Sequence, residues 1–300
     1  MTDMTIQDTI SGHTCVCGLI GDPVEHTLSP LIHNTLAARM GCDLAYVPFR
    51  VSHDALGSAV RGAYDLNIRG LNVTVPHKID VMESLAGIDE HARAIGAVNT
   101  LVRCDGGYIG YNTDYIGLKR ALATDGVSPA GRDIVILGAG GAARSAVYLC
   151  AFEGARSVYV LNRSVDRAAA LCDEVNAYVS TKNGSVTELC KPLPLSEHAS
   201  VEGEDLIAIQ ASSVGLHPHD EDVIIADCDL YDRIGYGYDL VYNPACTGFM
   251  KLVRGHGGRA SCGLSMLLYQ AVAAFELWMD VSVPDETAAG LIKVLEEAAR

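Results

Sequence analysis

The sequence predicts a two-domain α/β protein, an open α/β unit followed by a parallel-sheet unit, and three observations carry that expectation. Short β-rich runs alternate with helix-like runs from Cys15 to Val102. A glycine-rich turn separates a strand pattern from a helical one at 138–143. Two further helical segments close the chain. A βαβα order favours a sheet covered by helices over a sandwich.

Each element follows from local pattern. CVCGLIG reads as the first strand and SPLIHNTLAARMG as a helix, with Ser29 suited to the N-cap and Pro30 to the first helical position. LAYVPFRV, IRGLNVTV and AVNTLVR read as strands, and HDALGSAVRGAYD as a helix. Tyr111 to Thr124 reads as a helix leading away from this unit, and the polar stretch DGVSPAGRD, 125–133, as a hinge. DIVILGAGGAARSAVYLCAFEGARSVYVLNRS then gives strand, turn, helix and strand, with further strands at DLIAIQAS and YGYDLVY. SMLLYQAVAAFELWM and PDETAAGLIKVLEEAAR are helical and are expected to return to the first unit, with Tyr269 and Trp278 in its core. The expected boundaries are 1–124, 125–262 and 263–300.

Bulk properties narrow the function. Hydrophobic content of 49% with 20% charged residues describes a globular chain with room for two cores. Net charge is −15, so nucleic acid would meet a repulsive field and an anionic ligand would need local basic residues. Ten cysteines show no paired CxxC spacing and lie mostly in apolar runs, which reads as reduced core thiols and no metal site. No run is apolar enough to span a membrane, and MTDMTIQDT carries acids where a secretory leader carries basic residues, so the cytoplasm is the expected location.

Gly138, Ala139, Gly140, Gly141, Ala142 and Ala143 satisfy GxGxxA directly after IVIL and before a helix. Gly138 permits the tight turn, Gly140 admits backbone close to a pyrophosphate, and Ala143 allows close packing of helix and strand. The helix N-terminus supplies unpaired N–H groups to the phosphates. The next strand ends in Asn162, Arg163 and Ser164, with Arg167 one turn on. A reader of a free ribose would place a carboxylate there, whereas two guanidiniums can grip a 2′-phosphate. NADP is therefore expected over NAD, with Asp166 blunting the preference.

The stretch GLNVTVPHK, 70–78, alternates as a strand until Pro76 stops it and a basic pair follows. Lys78 there is either a solvated charge or a proton donor facing a site. GDPVEHTLSPLIHN, AVNTL and GYNTD complete a set rich in hydroxyls and amides, suited to a polyol because each ring hydroxyl both donates and accepts. His26, His33 and His77 lack ligand spacing and read as hydrogen-bonded or solvated.

Together with GAGGAAR, NRS, QASSVGL, DLVYNP and GLSMLLYQ, these strings closely resemble the shikimate dehydrogenase family over about residues 18–275. The resemblance implies an open α/β substrate domain facing a Rossmann NADP-binding domain. It implies reversible hydride transfer between NADPH and 3-dehydroshikimate in the biosynthesis of chorismate and aromatic amino acids, by a monomer or homodimer. Lys78 and Asp114 match the family's catalytic pair. Thr27, Ser29, Asn72, Thr74, Asn99, Tyr242 and Gln270 match substrate contacts. Gly138 to Ala143, Asn162, Arg163, Ser164, Arg167 and Gly263 fall on cofactor positions.

In reduction, an ammonium at Lys78 would donate to the carbonyl oxygen, and in oxidation its neutral form would accept the hydroxyl proton. Oxidation is then expected to gain at alkaline pH. Thr27 stands where the family usually has Ser, which bears on acceptance of quinate. Gln210 and Leu216 replace the more usual Asn and Met. The alternatives are a quinate/shikimate dehydrogenase, a paralogue acting on a related polyol acid, and a noncatalytic nucleotide-binding regulator, which retention of Lys78 and Asp114 speaks against.

Overall fold

The computed structural model describes residues 10–186 and 188–298. The acidic start, residues 1–9, and the last two residues of the expected final helix lie outside the described residues. By internal contacts the chain divides into two units, the described part of Met1–Gly117 with Leu268–Ala298, and Leu118–Leu267.

In the first unit, strands β1 (Cys15–Gly21), β2 (Leu44–Arg50), β3 (Gly70–Val73), β4 (Gly87–Ile88), β5 (Thr100–Cys104) and β6 (Gly107–Tyr111) form one sheet in the order β2-β1-β3-β5-β6-β4. β1 runs parallel to β2 and β3, whereas β5 is antiparallel to both β3 and β6. Helices α1 (Ser29–Met40), α2 (Leu56–Asp65) and α3 (Glu90–Ile95) connect them. α1 buries Ser29, Ile32, His33, Leu36 and Ala37, a spacing that lines one helical face, and stops at Gly41 in the left-handed conformation.

Two local expectations are corrected. The N-cap of α1 is Leu28, and Ser29 is already helical: its hydroxyl accepts from Thr27 at 3.1 Å and its N–H donates back to the Thr27 hydroxyl at 3.2 Å, so it caps none of the helix N–H groups. The helix expected from Tyr111, α4, spans Asp114–Thr124 instead. Tyr111 is held in β6 opposite Thr100, and the Asn112 side chain accepts from the Asp114 and Tyr115 N–H groups to start the helix.

The closing helices are α8 (Leu264–Met279) and α9 (Asp285–Ala298). Trp278 on α8 is buried and donates its indole N–H to the Leu101 carbonyl at 2.9 Å, while its own carbonyl accepts from Arg69 at 2.7 Å. Arg39 on α1 reaches the Thr287 carbonyl on α9.

The second unit carries β7 (Asp133–Leu137), β8 (Ser157–Asn162), β9 (Cys190–Pro194), β10 (Leu206–Gln210), β11 (Ile234–Asp239) and β12 (Arg259–Cys262). All pairings are parallel, in the order β12-β11-β10-β7-β8-β9. Numbered within the unit this is the 3-2-1-4-5-6 order of a Rossmann sheet, whose chain reversal between β7 and β10 leaves a crevice at the strands' carboxyl ends. β7 and β10 are buried along their whole length, as parallel strands covered on both faces must be. Helices α5 (Gly141–Phe152), α6 (Val165–Asn183) and α7 (Gly248–Gly255) cover the sheet. Among the described residues no helix is long and apolar enough to cross a membrane.

The Trp278 seat depends on a missing side chain. A Cβ on Gly70 would lie 2.1 Å from the indole nitrogen, so Gly70→Ala must displace the ring from Leu101. Overpacking of this kind costs about 1–3 kcal/mol, and chemical denaturation followed by Trp278 fluorescence should register a loss of that size.

Candidate active site

Lys78 follows the turn that ends β3. The His77 N–H bonds back to Thr74, the His77 ring meets the Val51 carbonyl at 2.7 Å, and the Lys78 carbonyl accepts from Val98. With its backbone so anchored, the Lys78 ammonium donates to Asp114 Oδ2 at 2.7 Å. The Lys78 side chain is 29% exposed and that of Asp114 15%. The pair is thus neither a solvated surface bridge nor sealed in the core, and water or a small solute can reach the amine.

The second oxygen of Asp114 accepts from Asn99 Nδ2 at 2.8 Å. Asn99 cannot turn over, because its Oδ1 accepts from the Thr113 backbone N–H at 2.7 Å, a group that only donates. Asn72 lies next along β3, buried, with Nδ2 donating to the Asn99 carbonyl and to Thr100 Oγ1. Its Oδ1 accepts from the Tyr46 hydroxyl at 2.7 Å and meets His33 Nε2 at 3.1 Å. Since Asn72 Oδ1 can only accept, His33 carries its proton on Nε2. Burial holds the His33 pKa down to about 3, so the ring stays neutral.

Of the expected substrate residues, Ser29 and Asn72 are buried, Asn72 accepts from Tyr46 at 2.7 Å, and Thr27 donates to Ser29 at 3.1 Å. Thr74 is half-buried at the end of β3, its N–H bonded to Ile20, and Gln270 is half-buried on α8. Tyr242 belongs to the second unit. His33 is hydrogen-bonded, one of the two roles read for it, whereas sequence reasoning missed Tyr46 and Thr100. Their only signal was a polar residue at a position where strand or helix periodicity called for burial.

In the second unit a groove of about 810 Å³ opens at the strands' carboxyl ends. The Gly138–Ala142 turn, Asn162, Arg163, Arg167 and Tyr242 line it, along with Ser212 and Leu216. Gly138 has φ +119°, and a Cβ there would press on the Ala211 backbone at 3.2 Å, so the turn itself requires glycine. At Gly140 and Gly141 a Cβ would meet no protein atom within 4 Å, which leaves the backbone at the N-terminus of α5 bare to the groove. That cradle fits a pyrophosphate. Arg163 and Arg167 are exposed, and among the described residues neither forms an ion pair. Ala143 is fully buried beneath the turn, Ser164 is the N-cap residue of α6, and Gly263 packs against Leu240 and Val241 rather than lining the groove.

One side of the groove is braced from within. Gln210 Oε1 accepts from the Ser212 N–H at 2.6 Å and from its hydroxyl at 2.8 Å, while Nε2 donates to the Val214 carbonyl. The same nitrogen reaches the buried Asp239 carboxylate, which also accepts from Thr247 at 2.6 Å and from the Val241 N–H at 2.9 Å. Desolvation pushes the Asp239 pKa up to about 6 against those two stabilising donors. Among the described residues no three His, Cys, Asp or Glu side chains cluster to hold a metal ion.

A Rossmann sheet with a bare glycine turn and two free guanidiniums, together with an α/β unit that carries an ammonium–carboxylate pair amid hydroxyls and amides, defines a dinucleotide-linked oxidoreductase. The comparisons make the class specific. Three family descriptions match: a shikimate dehydrogenase substrate binding domain over residues 19–101, a shikimate / quinate 5-dehydrogenase over 121–193, and a shikimate 5'-dehydrogenase C-terminal domain over 263–289. A shikimate dehydrogenase (NADP(+)) of Desulforamulus reducens is 39% identical over 276 residues, covering 92% of this chain and 93% of that one. A crystal structure of a shikimate dehydrogenase in complex with NADP+ is 36% identical with a TM-score of 0.84, covering 95% of this chain and 97% of the other. The shikimate 5-dehydrogenase of Listeria monocytogenes, in complex with shikimate and NAD, is 30% identical with a TM-score of 0.85, covering 95% and 98%. The chain belongs to the shikimate dehydrogenase family.

Asp239 makes the second unit pH-sensitive. Its folded pKa of about 6 lies above the unfolded value of about 4, so the folded form takes up a proton between the two. Raising pH through that window costs roughly 3 kcal/mol, and below about pH 4 both states are protonated and the penalty vanishes. Thermal unfolding of Asp239→Asn should therefore lose less stability than the wild type between about pH 4 and pH 7.

Proposed function

We propose that this protein is an NADP-dependent shikimate dehydrogenase, interconverting 3-dehydroshikimate and shikimate. The observation that carries this reading is the Lys78–Asp114 contact at 2.7 Å, braced by Asn99 and set among ring-hydroxyl partners. Bound NADP supplies the hydride acceptor and, when reduced, the hydride donor. Every remaining task falls to the chain's own groups.

Lys78 exchanges the hydroxyl proton of the reacting carbon. In reduction its ammonium donates to the carbonyl oxygen as negative charge builds there; in oxidation the neutral amine accepts the hydroxyl proton. Asp114 aims the amine. Ser29, Thr27, Thr74, Asn99 and Gln270 receive the ring hydroxyls and carboxylate, with Tyr242 as a further contact. Asn72, whose amide is fully engaged inside the protein, acts by holding its neighbours.

The N-terminus of α5 takes the pyrophosphate, and Arg163 and Arg167 take the 2′-phosphate. The bare glycine backbone and the absence of a carboxylate at the end of β8 support that assignment. Quinate is a second candidate substrate, because the Thr27 methyl alters the surface beside Ser29. NADP+ reduction by the purified protein with shikimate and then with quinate tests the reading. Turnover with neither acid would favour a noncatalytic nucleotide-binding regulator.

Lys78→Met should lower kcat by about a thousandfold while KM for shikimate moves little, as steady-state assays in both directions would reveal. Replacing Arg163 and Arg167 by Gln should raise KM for NADP+ about tenfold per arginine and leave that for NAD+ nearly unchanged; equal losses for both would remove the arginines from 2′-phosphate recognition.

A further inference from the structure

We propose that a pocket in the first unit, at the end of the sheet where β3 begins, binds a tetrahedral oxyanion, inorganic phosphate or the phosphoryl group of a phosphomonoester. Arg69 and Arg103 hold it. The pocket has a volume of about 340 Å³, and Tyr64 on α2 and Leu277 and Trp278 on α8 line it beside the two arginines. The site goes beyond the dehydrogenase reading and does not rest on it, because Arg69 precedes β3 whereas Lys78 follows it.

Strand register sets the arginines side by side. Gly70 on β3 pairs with Val102 on the antiparallel β5, and one step further the Arg103 N–H donates to the Arg69 carbonyl at 3.2 Å. Like charges opposite one another on neighbouring strands repel. A chain of net charge −15 offers many acids to relieve such a pair, and Arg50, Arg132, Arg144 and Arg156 each reach a carboxylate. Among the described residues Arg69 and Arg103 pair with none. An anion that enters the pocket offsets this repulsion.

Both side chains are anchored before any ligand arrives. Arg69 Nε donates to the Trp278 carbonyl at 2.7 Å, and Arg103 Nη1 donates to the Tyr64 carbonyl at 2.6 Å. The Arg103 guanidinium lies 3.9 Å from the centre of the Tyr64 ring, whose hydroxyl is fixed in turn by the Gly106 N–H at 3.0 Å. A guanidinium carries five N–H donors, so each arginine keeps several after these contacts. Groups already held in place lose little freedom on binding.

Phosphate suits this pair better than a carboxylate. Two forks can each make a bidentate contact to a tetrahedral group, and a dianion offsets both positive charges where a carboxylate offsets one. Asp105 also lines the pocket and forms no ion pair among the described residues. Its charge opposes the anion, so its removal should strengthen binding.

Phosphorus NMR of inorganic phosphate titrated with protein, at an ionic strength held constant with chloride, tests the site. Titration of an Arg163→Gln/Arg167→Gln protein beside the wild type separates this pocket from the groove of the second unit. Both proteins should bind phosphate saturably at millimolar concentration. Arg103→Gln should weaken that binding about tenfold, and Asp105→Asn should tighten it about threefold. Glycerol phosphate titrated in parallel tells a site for phosphomonoesters from one for the free ion, and the same response to Arg103→Gln with either probe supports the proposal. No saturable binding of either probe, binding indifferent to Arg103→Gln, or binding lost only with Arg163→Gln/Arg167→Gln would overturn it. Should Arg103→Gln fail to fold, Asp105→Asn carries the test, and an affinity equal to that of the wild type would overturn the site.

Discussion

Both oxygens of Asp114 are claimed by different donors, Lys78 on one and Asn99 on the other, and the arrangement of the first unit depends on that division. A carboxylate held at one oxygen only could swing and take the amine with it. Held at both, it fixes the amine in a single direction. The register of β5 against β6 makes this possible, because Thr100 opposite Tyr111 brings the AVNT string alongside GYNTD. Within GYNTD the tasks divide cleanly. Asn112 starts α4 and ties itself to the Ala97 carbonyl, Thr113 locks Asn99 through its backbone N–H, and Asp114 meets the lysine.

How much of this the sequence revealed follows from the range of each interaction. The glycine turn was legible because its demands are local: a positive φ at Gly138, bare backbone at Gly140 and a small buried Ala143 all fall within six residues. Lys78 and Asp114 were legible through resemblance, since nothing in their spacing of 36 residues brings them together. Tyr46 was not legible, because in LAYVPFRV it reads as one more apolar strand residue and its hydroxyl acquires a purpose only against Asn72, 26 residues away. Ser29 misled for a local reason. Its place before a helical run suits an N-cap, but its hydroxyl pairs with Thr27 and the residue is already helical.

The second unit distributes its constraints differently. Its sheet order alone locates the groove, and the side chains in that groove need little support from afar. The exception is the wall after β10, where the Gln210 side chain spans from Ser212 and Val214 to Asp239 and ties the loop to the end of β11. Burying a carboxylate for this purpose is costly, and the raised pKa of Asp239 is the measure of that cost.

The charge balance of the chain gives these local details their weight. With a net charge of −15, the protein's general field opposes both an anionic acid and a dinucleotide phosphate. Attraction must then be supplied at short range, where geometry rather than net charge decides. Each unit does so in its own way. The first sets one ammonium against a fixed carboxylate and surrounds it with neutral donors, which recognise hydroxyls without adding charge. The second exposes two guanidiniums and a helix N-terminus, groups whose chemistry suits phosphate. A general negative field of this kind disfavours an anion that brings nothing else to bind, so short-range hydrogen-bonding geometry, and not net charge, has to carry discrimination.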